Sequence, residues 1–361
     1  MRITTVNPET GEVLETYETM SREEILEIVR PSHERFLSWR EGTLAERAPC
    51  VRRLAAVLRE RRDEFAAHAT LEMGKPITEA RAEVEKCAWL CDVYAENGER
   101  WLAEEAVEAD GRKHAVVFQP LGLILSIMPW NFPYWQAIRF AIPTVLAGNT
   151  FVLKHASNVP RCAHAIEEMF AAAEFPADVM RTIFADHKTV TDLMALDLVR
   201  GVSLTGSTEA GARIAAAAGE NLKKTVLELG GSDPFVVLED VDVAFAAANA
   251  VVGRTINVGQ SCIAAKRFIV VEAVAEAFAQ QFAERMAELV IGDPMDPDTQ
   301  IGPVVNEEAL SELRDQLDRS VRAGAKVLTG GTVLDRPGFY FTPTVLGLSL
   351  IHISEPTRPT T

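Results

Sequence analysis

Cys262 closes the segment Asn257-Val258-Gly259-Gln260-Ser261-Cys262. A thiol there could act as a nucleophile, which requires a lowered pKa, a nearby base and access. A lone loop cysteine without all three is inert. His155 and His187 are the candidate histidine partners, and neither sits in a Cys–His protease pattern. Four further segments follow short apolar runs. Pro129-Trp130-Asn131-Phe132-Pro133 offers an amide, and Lys154-His155-Ala156-Ser157-Asn158 offers a lysine. Thr205-Gly206-Ser207-Thr208-Glu209-Ala210-Gly211 offers a Gly-Ser helix start, and Glu228-Leu229-Gly230-Gly231 a carboxylate. A lysine ending a buried strand needs an anionic or hydroxyl-rich partner, such as a phosphate or a ribose; otherwise it ends the strand at the surface. Gly206-Ser207 could receive an anion on the first N–H groups of a helix. Ser207 as an ordinary N-cap explains the same residues. The spacing is neither GxGxxG nor a Walker A loop.

These segments need a scaffold that gathers strand ends. Apolar residues at three-four spacing predict helices over Arg22–Val29, Ala45–Arg62 and Ile77–Glu105. Short apolar runs follow at Ala115–Phe118 and Leu123–Met128. Strand-like runs at Thr150–Leu153, Arg181–Ala185, Val202–Thr205 and Thr225–Leu229 then alternate with helical stretches. Those stretches are Tyr134–Ala147, Arg161–Ala173, Thr189–Leu196 and Glu209–Ala218. Strands separated by helices of this length imply crossovers and a mostly parallel sheet. Gly230–Pro234 reads as a break. A second series follows, with strands Phe235–Leu238 and Arg267–Val271 and helices Val243–Val252, Ala275–Leu289 and Glu307–Ala323. The simplest account is two α/β domains joined near residue 230. In open parallel sheets, ligands bind beyond the carboxyl ends of the strands, where the candidate segments lie.

A length of 361 residues suits about two domains. Hydrophobic residues make up 48%, enough for a large core. The formal charge of −16 disfavours binding to a phosphate backbone, and no basic patch offsets it. The first residues contain no apolar signal-peptide core, and no run approaches the ~18 apolar residues of a membrane span. Five scattered cysteines form no disulfide framework and favour a reducing cytoplasm. Cys87 and Cys91 lie four apart on a helix without further ligands nearby, which reads as core packing; no metal site is expected.

Pro129–Pro133, Thr205–Thr208, Glu228–Gly231 and Gly259–Cys262 occur in the order and spacing of the aldehyde dehydrogenase superfamily. The chain resembles that family from about Ile3 to about Leu346. The resemblance implies an α/β fold of two Rossmann-like parallel-sheet domains with an oligomerisation hairpin. It places an NAD(P)-binding domain at 1–229, the hairpin at about 107–120 and an incomplete catalytic domain at 230–347. It also implies NAD(P)-dependent oxidation of an aldehyde to a carboxylic acid, through a thiohemiacetal and a thioester. Cys262 then resembles the nucleophile and Glu228 the general base. Asn131 resembles the oxyanion donor, joined by the backbone N–H of Cys262. Trp130, Lys154, His155, Ala156, Ser157, Gly206, Ser207 and Leu229 match cofactor-contact positions. Relatives that prefer NAD often carry a glutamate where this chain has Ser157. The serine removes its repulsion of a 2′-phosphate, which Lys154 can pair with. NADP is therefore expected as the preferred cofactor, with NAD usable.

Leu71–Ile77, Leu153–Ala156 and Glu228–Phe235 look like bacterial succinate-semialdehyde dehydrogenases. Arg139, eight residues after Asn131, matches the arginine that binds the substrate's distal carboxylate. Ile256 stands where some relatives carry a second arginine; Arg254 is near but not equivalent. The alternatives are an enzyme for amino- or aliphatic aldehydes, a nucleotide-binding protein without full turnover, and a thiol hydrolase. Residues 348–361 do not resemble the family and read as a non-native tail on a C-terminally truncated chain. The intact parent is expected to be a homodimer or homotetramer.

Overall fold

The computed structural model describes residues 2–347, so the expectation about residues 348–361 lies outside the described residues. The antiparallel pair β1 (Arg2–Val6) and β2 (Val13–Glu18) leads into four helices. These are α1 (Arg22–Trp39), α2 (Leu44–Glu60), α3 (Arg62–Met73) and α4 (Ile77–Trp101). Ser21 with Glu24, and Thr43 with Glu46, form capping boxes that satisfy the first amides of α1 and α2. Three helix expectations need correction. The helix expected over Ile77–Glu105 ends at Trp101, and Glu105 opens the strand that follows. The helix expected over Arg22–Val29 continues through Pro31, because its buried face (Ile25, Ile28, Val29, Phe36) outweighs the lost backbone bond. The helix expected over Ala45–Arg62 breaks at Arg61 (φ −103°, ψ 21°), and α3, which periodicity did not announce, follows directly.

β3 (Glu105–Val107) and β4 (His114–Val116) pair antiparallel on the surface. Next comes the sheet that gathers the candidate segments. Its strands are β5 (Leu123–Met128), β6 (Thr150–His155), β7 (Met180–Thr182), β8 (Val199–Thr205) and β9 (Lys224–Glu228). They alternate with α5 (Pro133–Leu146), α6 (Pro160–Ala172), α7 (His187–Met194) and α8 (Thr208–Glu220). The order is β7-β6-β5-β8-β9, with every pairing parallel. β5 and β6 are each buried at five of their six residues, as a strand covered on both faces requires. One core lies between the sheet and α2–α6, around Leu54, Phe65, Tyr134 and Phe151. The other lies on the opposite face, around Ile25, Leu125, Val152 and Leu193. The chain winds outward in both directions from β5, so the topological switch point falls between β5 and β8.

The second series holds β10 (Asp233–Val237), α9 (Val243–Thr255), β11 (Ala265–Val270), α10 (Glu272–Ala287) and α11 (Glu307–Arg322). β10 and β11 pair in parallel, and Phe278 and Phe282 of α10 are buried in a third core with Ala247 and Ala250 of α9. Two unanticipated strands, β12 (Lys326–Thr329) and β13 (Val345–Gly347), pair antiparallel. Among the described residues, the parallel sheet of this half has only two strands. No described helix is long and apolar enough to cross a membrane, and no described cluster of His, Cys, Asp or Glu suits a metal.

Candidate active site

β5 and β8 end on either side of the switch point, at Met128 and Thr205. After β5, Pro133 starts α5 at the helix position where its missing N–H costs nothing. The next two amides, Tyr134 N–H and Trp135 N–H, both donate to Oε1 of Glu83 at 2.8 Å. Glu83 is buried on α4 and forms an ion pair with buried Lys75. Lys75 Nζ also lies 4.3 Å from the Phe132 ring centroid. These residues fix the turn that carries Trp130 and Asn131.

The segment that leads to Cys262 is not an ordinary turn. A short 3-10 turn at Ile256–Gly259 contains Asn257 and Val258 with φ of 58° and 59°, followed by Gly259 at 73°. A β-branched valine there is strained, so the surroundings must hold it. Both carboxylate oxygens of Glu79 on α4 accept the Asn257 N–H, at 3.1 and 2.9 Å. Asn257 Nδ2 donates to the carbonyls of Asn131 (2.7 Å) and Gln260 (3.3 Å). Val305 N–H donates to Gln260 Oε1 at 3.0 Å, and Arg254 Nη1 donates to the Gly259 carbonyl at 3.1 Å. Lys266 Nζ donates to the carbonyls of Ser261, Cys262 and Ala264 at 2.9, 3.0 and 3.3 Å.

Cys262 opens onto a cleft of about 420 Å³, shared with Trp130, Asn131, Gly206, Ser207 and Leu229. It is half-buried, whereas Cys50, Cys87, Cys91 and Cys162 are buried. Burial pushes the Cys87, Cys91 and Cys162 thiols upward, which makes them inert and fits the core-packing reading of Cys87 and Cys91. Asn131 Nδ2 donates one hydrogen to the Gln260 carbonyl at 2.9 Å. An amide carries two such hydrogens, so one remains for the cleft. Ser207 does cap α8, its Oγ accepting Ala210 N–H at 3.2 Å, while the helix N-terminus borders the cleft. Gly211 lets Leu229 close on α8, since a Cβ there would stand 2.5 Å from Leu229 Cδ2.

Glu228 and Arg139 line a neighbouring cavity of about 460 Å³, and Gln136 and Thr205 border both spaces. Arg139 Nη2 donates to Gln136 Oε1 at 3.0 Å and stands 3.9 Å from Glu228 Oε2. Among the described residues, Arg139 Nε and Nη1 have no hydrogen-bond partner.

Lys154, the penultimate residue of β6, is half-buried, and among the described residues it makes no ion pair or hydrogen bond. Burial pulls its pKa down, so it would gain from an anionic or hydroxyl ligand. Ala156 is half-buried and Ser157 exposed beside it. The expectation for His155 needs correction at its side chain. Its Nε2 bonds the Pro133 carbonyl at 2.8 Å and its Nδ1 accepts Ala156 N–H at 2.9 Å. Burial pulls its pKa down to about 4, so the ring is neutral and both its nitrogens are already engaged.

Sequence reasoning missed Glu72, Lys75, Glu79, Glu83, Gln136 and Lys266. Two of these had a signal: Glu79 and Glu83 stand four apart on α4, so both lie on one face of that helix. Glu72, buried near the end of α3, accepts Arg161 N–H and Cys162 N–H at 2.8 and 3.0 Å.

The sheet order and the switch-point cleft with its half-buried thiol define an NAD(P)-type α/β scaffold. The aldehyde dehydrogenase family model matches residues 1–349, and the chain belongs to that family. It is 48% identical to a probable NADP(+) succinate-semialdehyde dehydrogenase of Synechocystis sp. over 346 residues, covering 96% of this chain and 76% of that protein. It is 44% identical to NADP(+) succinate-semialdehyde dehydrogenase 1 of Mycobacterium tuberculosis, with the same two coverages. A solved succinic semialdehyde dehydrogenase from Streptococcus pyogenes, in complex with NADP+, superposes with a TM-score of 0.93 at 37% identity. That likeness covers 95% of this chain and 76% of the other. The lactaldehyde dehydrogenase of Escherichia coli superposes with a TM-score of 0.92 at 32% identity, covering 96% and 73%, so the fold alone does not fix the substrate.

Proposed function

We propose that this chain carries the machinery for NADP-dependent oxidation of succinate semialdehyde to succinate. The observation that carries this reading is the half-buried Cys262 in one cleft with Asn131 and the α8 N-terminus, beside a cavity holding Glu228 and Arg139. The names of the relatives, all NADP(+) succinate-semialdehyde dehydrogenases, support the cofactor and the substrate.

Arg139 keeps Nη1 and the second Nη2 hydrogen for the distal carboxylate, which one edge of a guanidinium can hold by paired charge-assisted bonds. The Cys262 thiolate attacks the aldehyde carbon, and the new oxyanion is met by the free Asn131 hydrogen and the Cys262 N–H. When bound, the nicotinamide cofactor supplies the acceptor for the hydride that leaves the Cys262-bound adduct. Glu228 takes a proton from the water that hydrolyses the resulting thioester. The sum is RCHO + NADP+ + H2O giving RCOOH + NADPH + H+. Trp130, Lys154, Ala156, Ser157, Gly206, Ser207 and Leu229 would hold the cofactor. Lys154 is desolvated and unpaired, and residues 154–158 include no acidic side chain to repel a 2′-phosphate.

The same reading assigns residues 1–229 to cofactor binding and the later residues to catalysis. Exposed Val107, Val116, Val117 and Phe118 around β3 and β4 support a dimer or tetramer, and five free cysteines suit a reducing cytoplasm. The test is mass spectrometry of the chain mixed with NADP and succinate semialdehyde. A succinyl adduct on Cys262 is expected, and its absence, with the cofactor shown to bind, overturns the reading.

A further inference from the structure

Arg139 and Glu228 face each other across one cavity. The cavity is lined by apolar Ile124, Met128, Phe140 and Val226, and it meets the cleft of Cys262 at Gln136 and Thr205. Arg139 Nη2 already serves Gln136, and it stands 3.9 Å from Glu228 Oε2. The pair is half-exposed and long, so it is weak and readily exchanged. Once a ligand with a distal carboxylate enters, a single guanidinium faces two carboxylates. Nη2 carries a second hydrogen, so the ligand can engage it together with Nη1 along one edge of the guanidinium, a geometry stronger than one distant contact.

We propose that the substrate's distal carboxylate displaces Glu228 from Arg139, freeing the base to activate water. This rests on the roles given above to Cys262, Glu228 and Arg139. The exchange breaks no covalent bond: one ion pair replaces another. A neutral acyl group on Cys262 leaves Glu228 turned toward Arg139, and its thioester hydrolyses slowly. Arg139 thereby selects at hydrolysis as well as at binding, as a positioning residue for the base.

The chain is mixed, without cofactor, with p-nitrophenyl hemisuccinate or p-nitrophenyl butyrate. The burst of p-nitrophenol reads acylation of Cys262, and the steady phase reads hydrolysis of the acyl-enzyme. The succinyl form should hydrolyse about tenfold faster than the butyryl form, and Glu228→Gln should remove that difference. Arg139→Gln should slow the succinyl form and speed the butyryl form, and Arg139→Lys should restore the original order. Butyryl hydrolysis that is unchanged or slower in Arg139→Gln overturns the proposal. So does an equal effect from Lys224→Gln, a cation lining the same cavity, because net charge would then explain the result. No burst from the unmodified chain, or a burst that survives Cys262→Ala, overturns the underlying roles and this proposal with them.

Discussion

Glu79 grips the backbone of Asn257 with both carboxylate oxygens, tying α4 to the turn that presents Cys262. That amide opens two non-glycine residues with positive φ, so the strain beside Cys262 is held from a helix distant in sequence. Glu79→Ala leaves a buried donor unpaired, a cost of about 1–3 kcal/mol. The expected outcome is a lower Tm and an altered rate of Cys262 alkylation by iodoacetamide. Glu79→Gln keeps an acceptor and should recover most of both.

Lys75 and Glu83 form a buried ion pair whose carboxylate also caps α5. Lys75→Met strands that charge and should cost about 3–5 kcal/mol. Adding Glu83→Gln removes the charge and keeps an acceptor for the helix amides. In a denaturation cycle the double variant should therefore be more stable than Lys75→Met alone.

Glu72 and His155 bend stability in opposite directions with pH. Burial raises Glu72 to about 7, so the folded state binds its proton more readily than the unfolded state does. Its contribution is complete below the ordinary carboxylate range and is lost as pH rises toward 7. Burial lowers His155 to about 4, so its contribution is complete above the ordinary histidine value and is lost as pH falls toward 4. Each effect is on the order of 3 kcal/mol at most. Urea midpoints at pH 5 and pH 8 should show a smaller loss on raising pH in Glu72→Gln. They should show a smaller loss on acidification in His155→Gln.

Ser157→Glu places a carboxylate beside Lys154 and the proposed 2′-phosphate position. NADP affinity should fall at least about tenfold, with NAD affinity kept or improved. Fluorescence titration with the two cofactors checks this, and an equal loss for both would remove Ser157 from cofactor discrimination.

The parallel sheet was legible because its strands are apolar runs between amphipathic helices. The cleft residues were legible because they stand at strand ends. Helix α3 was hidden: its alanines blur any amphipathic face, and Arg61 interrupts the period of α2. α1 was cut short at Val29, because the sequence does not show that packing holds a helix together through Pro31. Glu79 and Glu83 were hidden for another reason. A helical glutamate reads as solvated until the distant amides that desolvate it are known, and those belong to residues 134, 135 and 257. The use of the His155 ring against the Pro133 carbonyl is likewise a matter of tertiary distance.

The carboxylates of α3 and α4 that receive distant backbone amides also set an order of events. Glu83 waits for amides 51 and 52 residues ahead, Glu72 for amides 89 and 90 ahead, and Glu79 for one 178 ahead. Closing the last of these loops is entropically the most demanding, and it comes last from the ribosome. The cofactor scaffold can therefore consolidate while Cys262 is still unseated. The turn before Cys262 takes its shape only after the helix it rests on exists.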